Sequence, residues 1–404
     1  MSVIVQIQVS GRDRPGVTST LTSILAQHGI PILDMNLSVT CETLSLGLLV
    51  TLEEEPARCP AFGELESRVM DLELAVQGHV VSAGGYSVWT REQHAPRHIL
   101  TLLGREISAR HIAETTKLVS ASGLSIDRII RLSAPQGLDV GRSQRLACFE
   151  MNLHGAVNDV PTLHGAFLRL AGEIGLDIAF QEDDVFRRHR RLICFDMDST
   201  LIQAEVIDEL AAEIGIKDQV AAITESAMRG DIDFKESFRR RMALLKGLDE
   251  SVLEQVAERL PLTEGAVRLI SNLKTRGYKV AVLSGGFTYF AEHLRKRLDI
   301  DYIHANTLDF QDGKLTGEVV GDIVDGARKA ALLQEIAERE GIRMEQVIAV
   351  GDGANDLSML SIAGLGIAFH AKPGVREQAR HSLNQVGLDG VLYLLGIRDR
   401  ELPL

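Results

Sequence analysis

The chain has 404 residues, 45% of them hydrophobic, and its formal net charge is −13 at pH 7. This length predicts about two to four domains, and the acidic charge excludes the broad basic surface of a nucleic-acid-binding protein. No apolar stretch approaches the roughly 20 residues that a membrane-spanning helix requires. We therefore expect neither nucleic acid nor membrane among the partners.

The cysteines and the N-terminus indicate a cytoplasmic protein. The chain has four cysteines, and none of them forms a CxxC pair of the kind that binds zinc or forms redox disulfides. The opening run "MSVIVQIQVSGRDRPG" alternates like a strand and lacks the continuous apolar core of a signal peptide. Unpaired cysteines are typical of a reducing compartment.

Residues 1–84 show the element order βαββαβ. The run "VIVQIQV" alternates like a strand, and a helix follows Pro15 and ends near Gly29. Two strands come next, "IPILDMNLSVT" and "LSLGLLVTL", followed by the helical "FGELESRVMDLE" and the strand "ELAVQGHVVSA". The pattern predicts a small α+β domain.

A second domain of the same plan is predicted over residues 97–182. It follows a polar segment, interpreted as an irregular linker over residues 85–96. The run that begins at Gly104, "GRE", stands 93 residues after the "GRD" that begins at Gly11. Agreement in order and spacing favours an internal repeat, and two unrelated small α+β domains are the alternative.

After a charged linker, "EDDVFRRHRR", the pattern over residues 183–404 changes. The strand-like runs "LICFDMD", "KVAVLSGG" and "QVIAVGDG" alternate with helical segments, which is typical of a parallel α/β sheet. A helical stretch over residues 206–262 separates the first two strands and is too long for one crossover helix. We expect it to form a cap over the carboxyl edge of the sheet, where α/β sheets bind ligands.

Polar residues follow each of these three strands. Asp196 and Asp198 end the first strand, Ser284 and Gly285 end the second, and Asp352 follows the third. The carboxyl ends of parallel strands meet at one edge, and residues i and i+2 of a strand point to the same side. The apolar run 192–195 before Asp196 and Asp198 is typical of a strand buried on both faces in the middle of a parallel sheet. Two acids at the end of such a strand repel each other and lose solvation, so either the pair lies in water or a cation lies between them. The three aspartates offer the hard oxygen ligands that Mg²⁺ prefers.

This set of residues is suited to phosphoryl transfer. One carboxylate can attack phosphorus and form an aspartyl-phosphate, while a second can protonate the leaving oxygen. Ser284 and the amides around Gly285 can bind a phosphate, and Lys329, near the start of a predicted helix, can neutralise the phosphoryl oxygens.

The motifs "DMDST", "SGG", Lys329 and "GDGANDLSM" resemble, in this order, those of the haloacid dehalogenase-like phosphatases. Residues 191–380 resemble the phosphoserine phosphatase family in particular, through runs such as "DMDSTLIQAEVIDELA" and "VAVLSGGF". The N-terminal half resembles ACT domains, most clearly at "GRDRPGV", and the paired arrangement resembles the actinobacterial, notably mycobacterial, form. The resemblance implies a Rossmann-like parallel sheet with a helical cap, preceded by two ACT-like βαββαβ domains.

The same resemblance implies an activity and the residues that carry it. The reaction would be hydrolysis of O-phospho-L-serine to L-serine and phosphate, the last step of serine biosynthesis. Asp196 would be the nucleophile and Asp198 the general acid/base, and Mg²⁺ would bind Asp196, the backbone carbonyl of Asp198 and Asp352. The other implied positions are Ser284, Gly285 and Lys329 for the phosphate, Glu205 and Arg241 for the substrate ammonium and carboxylate, Asn355 near the substrate, and Met228, Phe234 and Asp356 in support.

Regulation by L-serine through the ACT-like domains, in a homodimer that these domains form, is also expected. Asp13 would accept the ligand's ammonium, and amides near Gly16 and Gly104 would bind its carboxylate. Two alternatives stay open. One is another small-molecule phosphatase or phosphotransferase of the same fold, and the other is an amino-acid sensor with a vestigial phosphatase half.

Overall fold

The structure is a computed structural model that describes residues 2–135, 146–228 and 231–402. The side chain of Met228 lies outside the described part. The chain divides into two compact units, Met1–Ala95 and Pro96–Leu404. Within the described ranges, no helix combines the length and the apolar character that crossing a membrane requires.

The first unit contains the predicted βαββαβ domain. Its elements are β1 Val3–Arg12, α1 Val17–Gln27, β2 Ile32–Thr40, β3 Thr43–Leu52, α2 Pro60–Asp71 and β4 Leu74–Val81. The antiparallel sheet has the order β2-β3-β1-β4. Alternate residues of β1 and β3 are buried with the apolar residues of both helices and form the core.

The segment predicted as an irregular linker contains a helix instead. Helix α3, Ala83–Glu92, begins after Ser82, whose Oγ accepts a hydrogen bond from the amide of Gly85 at 3.0 Å. None of its residues is buried, so the apolar periodicity that indicates a helix is missing from the sequence. Ser82, a residue type that favours the N-cap position, was the feature of the sequence that could have indicated this helix.

The second unit begins with the predicted repeat of this plan. Its elements are β5 Arg97–Gly104, α4 Ala109–Ala121, β6 Ser125–Arg131, β7 Ala147–His154, α5 Val160–Ile174 and β8 Asp177–Glu182. The strand order of this sheet is β6-β7-β5-β8. It matches the order β2-β3-β1-β4 of the first domain when the strands of each domain are numbered from one to four along the chain. The predicted βαββαβ repeat is therefore confirmed.

One packing contact explains the repeated glycine of the two domains. Gly11 lies near the end of β1 and Gly104 at the end of β5. A Cβ atom on Gly11 would lie 2.5 Å from Leu74 Cδ2, and one on Gly104 would lie 2.5 Å from Leu176 Cδ2. Leu74 is the first residue of β4 and Leu176 directly precedes β8, so each glycine leaves room for the end of a leucine side chain at the same place in its domain.

The rest of the second unit is a seven-stranded sheet with helices. Its strands are β9 Leu192–Phe195, β10 Lys279–Phe287, β11 Tyr302–Gln311, β12 Lys314–Val320, β13 Val347–Gly351, β14 Leu365–Phe369 and β15 His381–Leu383. The order is β12-β11-β10-β9-β13-β14-β15, and all neighbours pair in parallel except β11 and β12. The helices around it are α10 Ala266–Thr275, α11 Thr288–Leu298, α12 Gly326–Arg339, α13 Leu357–Ile362, α14 Pro373–Arg376 and α15 Gly390–Leu394. Strand β9 lies at the centre and is buried on both faces, as predicted.

The antiparallel hairpin β11–β12 was not predicted. Asp312 and Gly313 connect its strands with positive φ angles of 52° and 73°. An Asp-Gly pair between two strands is a recognised hairpin signal, so this element could have been found in the sequence.

The predicted cap is confirmed as a group of helices between β9 and β10. Its helices are α6 Val206–Glu213, α7 Lys217–Met228, α8 Phe234–Leu244 and α9 Ser251–Arg259. The two ends of the insertion lie side by side, because the amide of Gln203 donates to the carbonyl of Pro261 at 2.9 Å and Ile202 pairs with Leu262.

The charged segment "EDDVFRRHRR" is not a solvated linker. Arg187 within it forms an ion pair with Glu150 of β7, and both side chains are only 1% exposed. A second contact joins the two parts, because Asp177 of β8 accepts hydrogen bonds from the amides of Asn384 and Gln385, at 2.7 and 2.9 Å. One apolar core includes residues of both parts, among them Leu103, Cys148 and Ala179 beside Phe195 and Leu392. The predicted second and third domains therefore share one interior.

We predict that Arg187→Ala lowers the free energy of unfolding of the second unit by about 3–5 kcal/mol, because the Glu150 carboxylate would stay buried without its partner. Arg188→Ala, at the exposed neighbouring position, should change it by less than about 0.5 kcal/mol. Chemical denaturation of both variants measures the difference. Equal effects would show that the Glu150–Arg187 pair does not stabilise this unit.

Candidate active site

The first carboxylates of the site stand where β9 ends at the sheet's carboxyl edge. The backbone amide of Asp196 donates to Val350 of β13 at 2.9 Å, which continues the sheet pairing by one residue. Its side chain accepts from the amide of Met197 at 2.7 Å. The chain then turns sharply, with Ser199 at a φ of 54°. Both Asp196 and Asp198 line a cavity of 860 Å³ below the cap.

A buried lysine lies between two of the aspartates. Nζ of Lys329, on α12, lies 2.9 Å from Asp196 Oδ1 and 2.7 Å from Asp356 Oδ1, and the lysine is fully buried. Burial alone would lower the pKa of Lys329, but the charges of Asp196 and Asp356 outweigh burial and raise that pKa. The lysine therefore stays charged.

Three carboxylates converge beside this lysine. Oxygen atoms of Asp196, Asp352 and Asp356 lie within 4.8 Å of one another. Burial raises the pKa of Asp196 well above its ordinary value, and the charge of Asp356 is the second cause of this shift. The same two causes raise the pKa of Asp352 to about 7. One lysine does not balance three acids, so this corner of the cavity favours a second cation. Oxygen donors alone are the set that a hard divalent ion prefers.

The sequence predicted a metal site with the three aspartates Asp196, Asp198 and Asp352. The observed cluster of carboxylates differs from that set in one residue. It contains Asp356, which the sequence placed in support, and not the carboxylate of Asp198. The Asp198 side chain instead accepts from the amide of Val206, at the start of the cap, at 3.2 Å. Burial, and then the charges of Glu205 and Asp196, raise the pKa of Asp198 well above its ordinary value.

The C-terminal end of β10, where the strand register shifts between Leu283 and Phe287, fits closely around the aspartates. Ser284 Oγ accepts from the amide of Gly286 at 2.8 Å, and a Cβ on Gly286 would lie 2.6 Å from Asp198 Oδ2. Asn306 of β11 donates to the carbonyl of Gly285 at 2.8 Å. Sequence reasoning missed Asn306 because it lies in the middle of a strand, outside any motif.

The turn after β13 brings the third group of polar residues. Thr200 donates to Asp352 Oδ1 at 3.0 Å, and the amide of Gly353 donates to Asp356 Oδ2 at 3.0 Å. Asn355 lines the cavity. Thr200 was also missed, although its hydroxyl lies within the quoted "DMDST" motif.

The cap contributes groups of both charges to the cavity. Ser199 donates to Glu205 Oε1 at 2.7 Å, and Nη1 of Arg241 donates to Thr224 Oγ1 at 3.4 Å. Nε of Arg241 is buried and has no hydrogen-bond partner among the residues that the structure describes. Burial lowers the pKa of Arg241, while the nearby Glu205 and Asp208 oppose this. A buried guanidinium with an unused donor is suited to an anionic ligand.

The structure brings most of the predicted site residues to this one cavity. Those that line it are Asp196, Asp198, Glu205, Phe234, Arg241, Gly285, Asp352 and Asn355. Ser284, Lys329 and Asp356 are buried and make the contacts described above. Lys372 and Val375, on the loop at α14 and its helix, also line the cavity and were not predicted.

The predicted regulatory residues lie in the βαββαβ domains. Gly16 stands at the N-terminus of α1 with a φ of 93°, without a side-chain cap, and Asp13 is exposed. In the second domain, Ser108 caps α4 through its own hydroxyl. Gly104 lies against the side chain of Leu176. The two domains therefore differ at the position where a ligand carboxylate was expected.

Comparison with known proteins identifies the family. Residues 190–364 match the model of the haloacid dehalogenase-like hydrolases, and residues 3–79 match that of the ACT domain. Over 397 residues, the chain is 41% identical to a phosphoserine phosphatase of Streptomyces coelicolor, a match that covers 98% of this chain and 92% of that protein. The chain belongs to the phosphoserine phosphatase family.

Two further phosphoserine phosphatases are similar to most of this chain. The phosphoserine phosphatase SerB2 of Mycobacterium tuberculosis is 41% identical over 408 residues, which cover 99% of this chain and 95% of that one. A crystal structure of a probable phosphoserine phosphatase from Vibrio cholerae, unliganded, superposes with a TM-score of 0.58 at 36% identity. That match covers 74% of this chain and 86% of the Vibrio chain.

Proposed function

We propose that this member of the family hydrolyses O-phospho-L-serine to L-serine and phosphate. The observation that carries the proposal is that one cavity is lined by Asp196, which pairs with the buried Lys329, and by Glu205 and Arg241 of the cap. The first pair is suited to a phosphoryl group. The second pair offers an acid for an ammonium and a guanidinium for a carboxylate. O-Phospho-L-serine carries all three groups.

Asp196 is the proposed nucleophile and Asp198 the proposed general acid/base. A carboxylate oxygen of Asp196 forms a bond to phosphorus as the bond from phosphorus to the serine oxygen breaks, and Asp198 gives that oxygen a proton. Asp198 then takes a proton from water, whose oxygen attacks phosphorus and releases Asp196. Ser284, the amides around Gly285 and Lys329 bind the phosphoryl oxygens, with Asn355 beside the substrate.

The acidic corner of the cavity fits Mg²⁺. Asp196, Asp352 and the backbone carbonyl of Asp198 would hold the ion, and Asp356 would support it from beside Lys329. When bound, the ion neutralises phosphoryl oxygens during the transfer. The support for this assignment is the excess of buried carboxylates over the single buried lysine.

The test of the function is phosphate release from O-phospho-L-serine, with and without Mg²⁺. We expect Mg²⁺-dependent release, and we expect Asp196→Asn to abolish it because an amide is a poor nucleophile. Asp198→Asn should lower kcat by about 10²–10⁴-fold through loss of the proton donor. Near-normal turnover by Asp196→Asn would contradict the covalent mechanism.

The same assay separates the alternatives. Equal or better release from phosphothreonine or sugar phosphates, or transfer to added alcohols, would indicate another phosphatase or phosphotransferase. Binding of L-serine without any turnover would indicate a sensor with a vestigial phosphatase half.

A second prediction concerns specificity. Arg241→Ala should raise KM for O-phospho-L-serine, because the substrate carboxylate would lose a buried charged partner worth about 2–5 kcal/mol. Hydrolysis of an aryl phosphate, which lacks that carboxylate, should hardly change. The matched variant is Arg240→Ala, because Arg240 is exposed on the same helix and pairs with Glu236 at 2.7 Å. If Arg241→Ala impaired hydrolysis of both substrates equally, Arg241 would support the fold or the phosphate site and would not recognise the carboxylate.

We further propose that L-serine regulates the enzyme through its first domain, in a homodimer. The support is the edge strand β2, all of whose residues are exposed. Met35, Leu37 and Val39 stand opposite the buried leucines of β3, yet they are 47%, 43% and 44% exposed. An apolar edge strand favours pairing with another chain. The uncapped N-terminus of α1 at Gly16, with Asp13 nearby, would bind the amino acid. A cytoplasmic location stays a prediction.

Leu37→Lys tests this arrangement. A charge within the apolar row should convert the dimer to a monomer by light scattering and abolish the effect of L-serine on turnover, while basal activity persists. Gln77→Lys, exposed on the opposite edge strand β4, should change neither property. A dimer that survives Leu37→Lys would exclude this edge as the interface, and an unchanged serine effect would point to product inhibition in the cavity.

A further inference from the structure

The two ends of the cap helix α8 contact the α/β part, which is the seven-stranded sheet with its helices, in different ways. After its C-terminal end, the chain is joined to the β11–β12 hairpin by backbone hydrogen bonds. Gly247 donates to the carbonyl of Leu315 at 2.7 Å, Leu315 donates to Leu248 at 2.9 Å, and Glu250 donates to Gly313 at 2.9 Å. A Cβ on Gly317 would lie 3.3 Å from the Cα of Ala243, so strand and helix are in close backbone contact. This end of α8 is firmly attached.

The N-terminal end of α8 contacts the α/β part through side chains. Phe234 Cζ lies 3.1 Å from the position that a Cβ on Gly285 would occupy, so the ring lies over the proposed phosphate-binding end of β10. Next to it, Lys235 Nζ lies 2.9 Å from Asp325 Oδ2. Side-chain contacts can break and form again without loss of backbone hydrogen bonds, so this is the end of α8 that can move.

Asp325 connects this contact to the buried lysine. Its Oδ1 accepts from the amide of Arg328 at 2.9 Å, and its carbonyl accepts from the amide of Lys329 at 2.9 Å. Asp325 therefore caps α12 at the turn that carries Lys329. The ion pair with Lys235 joins this turn to helix α8, which carries Phe234 and, about 10 Å further along, Arg241.

We propose that Lys235 and Asp325 form a positioning pair that closes α8 over the cavity and aligns Arg241 with the phosphate site. The proposal rests on the function proposed above for its substrate. Lys235 is 49% exposed and Asp325 22% exposed, and an exposed ion pair contributes little to folding stability. The pair is suited to shifting the cap between open and closed positions, which requires only a small difference in free energy.

The variants Lys235→Met and Asp325→Asn separate this role from helix capping. Asparagine can still accept the hydrogen bond from Arg328 and cap α12, but it cannot pair with the lysine. Each variant should raise KM for O-phospho-L-serine by about twofold to fivefold, with kcat and the melting temperature unchanged. The double variant should have the same KM as each single variant, because both changes remove the same interaction.

Two controls accompany these measurements. Lys235→Arg retains the charge and should behave as the unaltered enzyme. Arg240→Ala removes an ion pair within α8 that does not reach the α/β part, and it should leave KM unchanged. KM for an aryl phosphate should be unaffected by every variant, since this substrate makes no contact with Arg241.

Several results would overturn the proposal. These are additive effects of the two single variants, an unchanged KM, or an equal rise in KM on both substrates. If the unaltered enzyme released no phosphate from O-phospho-L-serine, the proposed function would fail by itself. The pair would then be tested by amide hydrogen exchange at residues 234–238 in the presence of inorganic phosphate. Faster exchange in Lys235→Met than in Arg240→Ala would support the closing role, and equal exchange would overturn it.

Discussion

The second unit is built around a buried lysine that lies between two buried aspartates. Lys329 contacts Asp196 and Asp356, which follow two neighbouring central strands. A charged amine without exposure to water is tolerable only when acids surround it closely. The excess of carboxylates over this one lysine in turn favours a further cation at the same place. The order of the strands, the tight turns and the position of α12 all serve to keep these charges together.

The glycines around this centre show how little free space it leaves. A Cβ on Gly286 would meet Asp198, and one on Gly326, the first residue of α12, would lie 2.7 Å from the carbonyl of Asn355. Glycine is required at these positions because carboxylates and backbone approach one another more closely than a side chain permits. The charge arrangement is thereby fixed by backbone packing and not by the flexible side chains alone.

Much of this architecture could be predicted from the sequence. The apolar run before Asp196 indicated a central parallel strand, and the residues after three strands were expected at one edge. The βαββαβ repeat was also found, because its alternating strands follow the hydrophobic pattern closely. These features depend on residues near one another in the chain, where periodicity and turn signals are informative.

The features that were missed depend on contacts between distant residues or on a weak local pattern. Helix α3 has no buried face, so its polar sequence resembled a linker. The partnership of Lys329 with Asp356, and the hydrogen bonds of Thr200 and Asn306, arise only when separate strands come together. The segment that contains Arg187 had the composition of a solvated linker, yet its guanidinium is buried with Glu150. Composition indicates whether a residue is charged but not whether it has a partner.

The shared interior of the second unit bears on how such a chain can be assembled from parts. Leu103 and Cys148, from the second βαββαβ domain, belong to the same core as Phe195, the last residue of the central strand. A fragment that begins at residue 183 would expose this apolar surface and leave Arg187 without its acid. In this chain, the smallest piece that keeps this interior whole is therefore Pro96–Leu404. The second βαββαβ domain thus contributes to the interior of the α/β part, whereas the first has a core of its own.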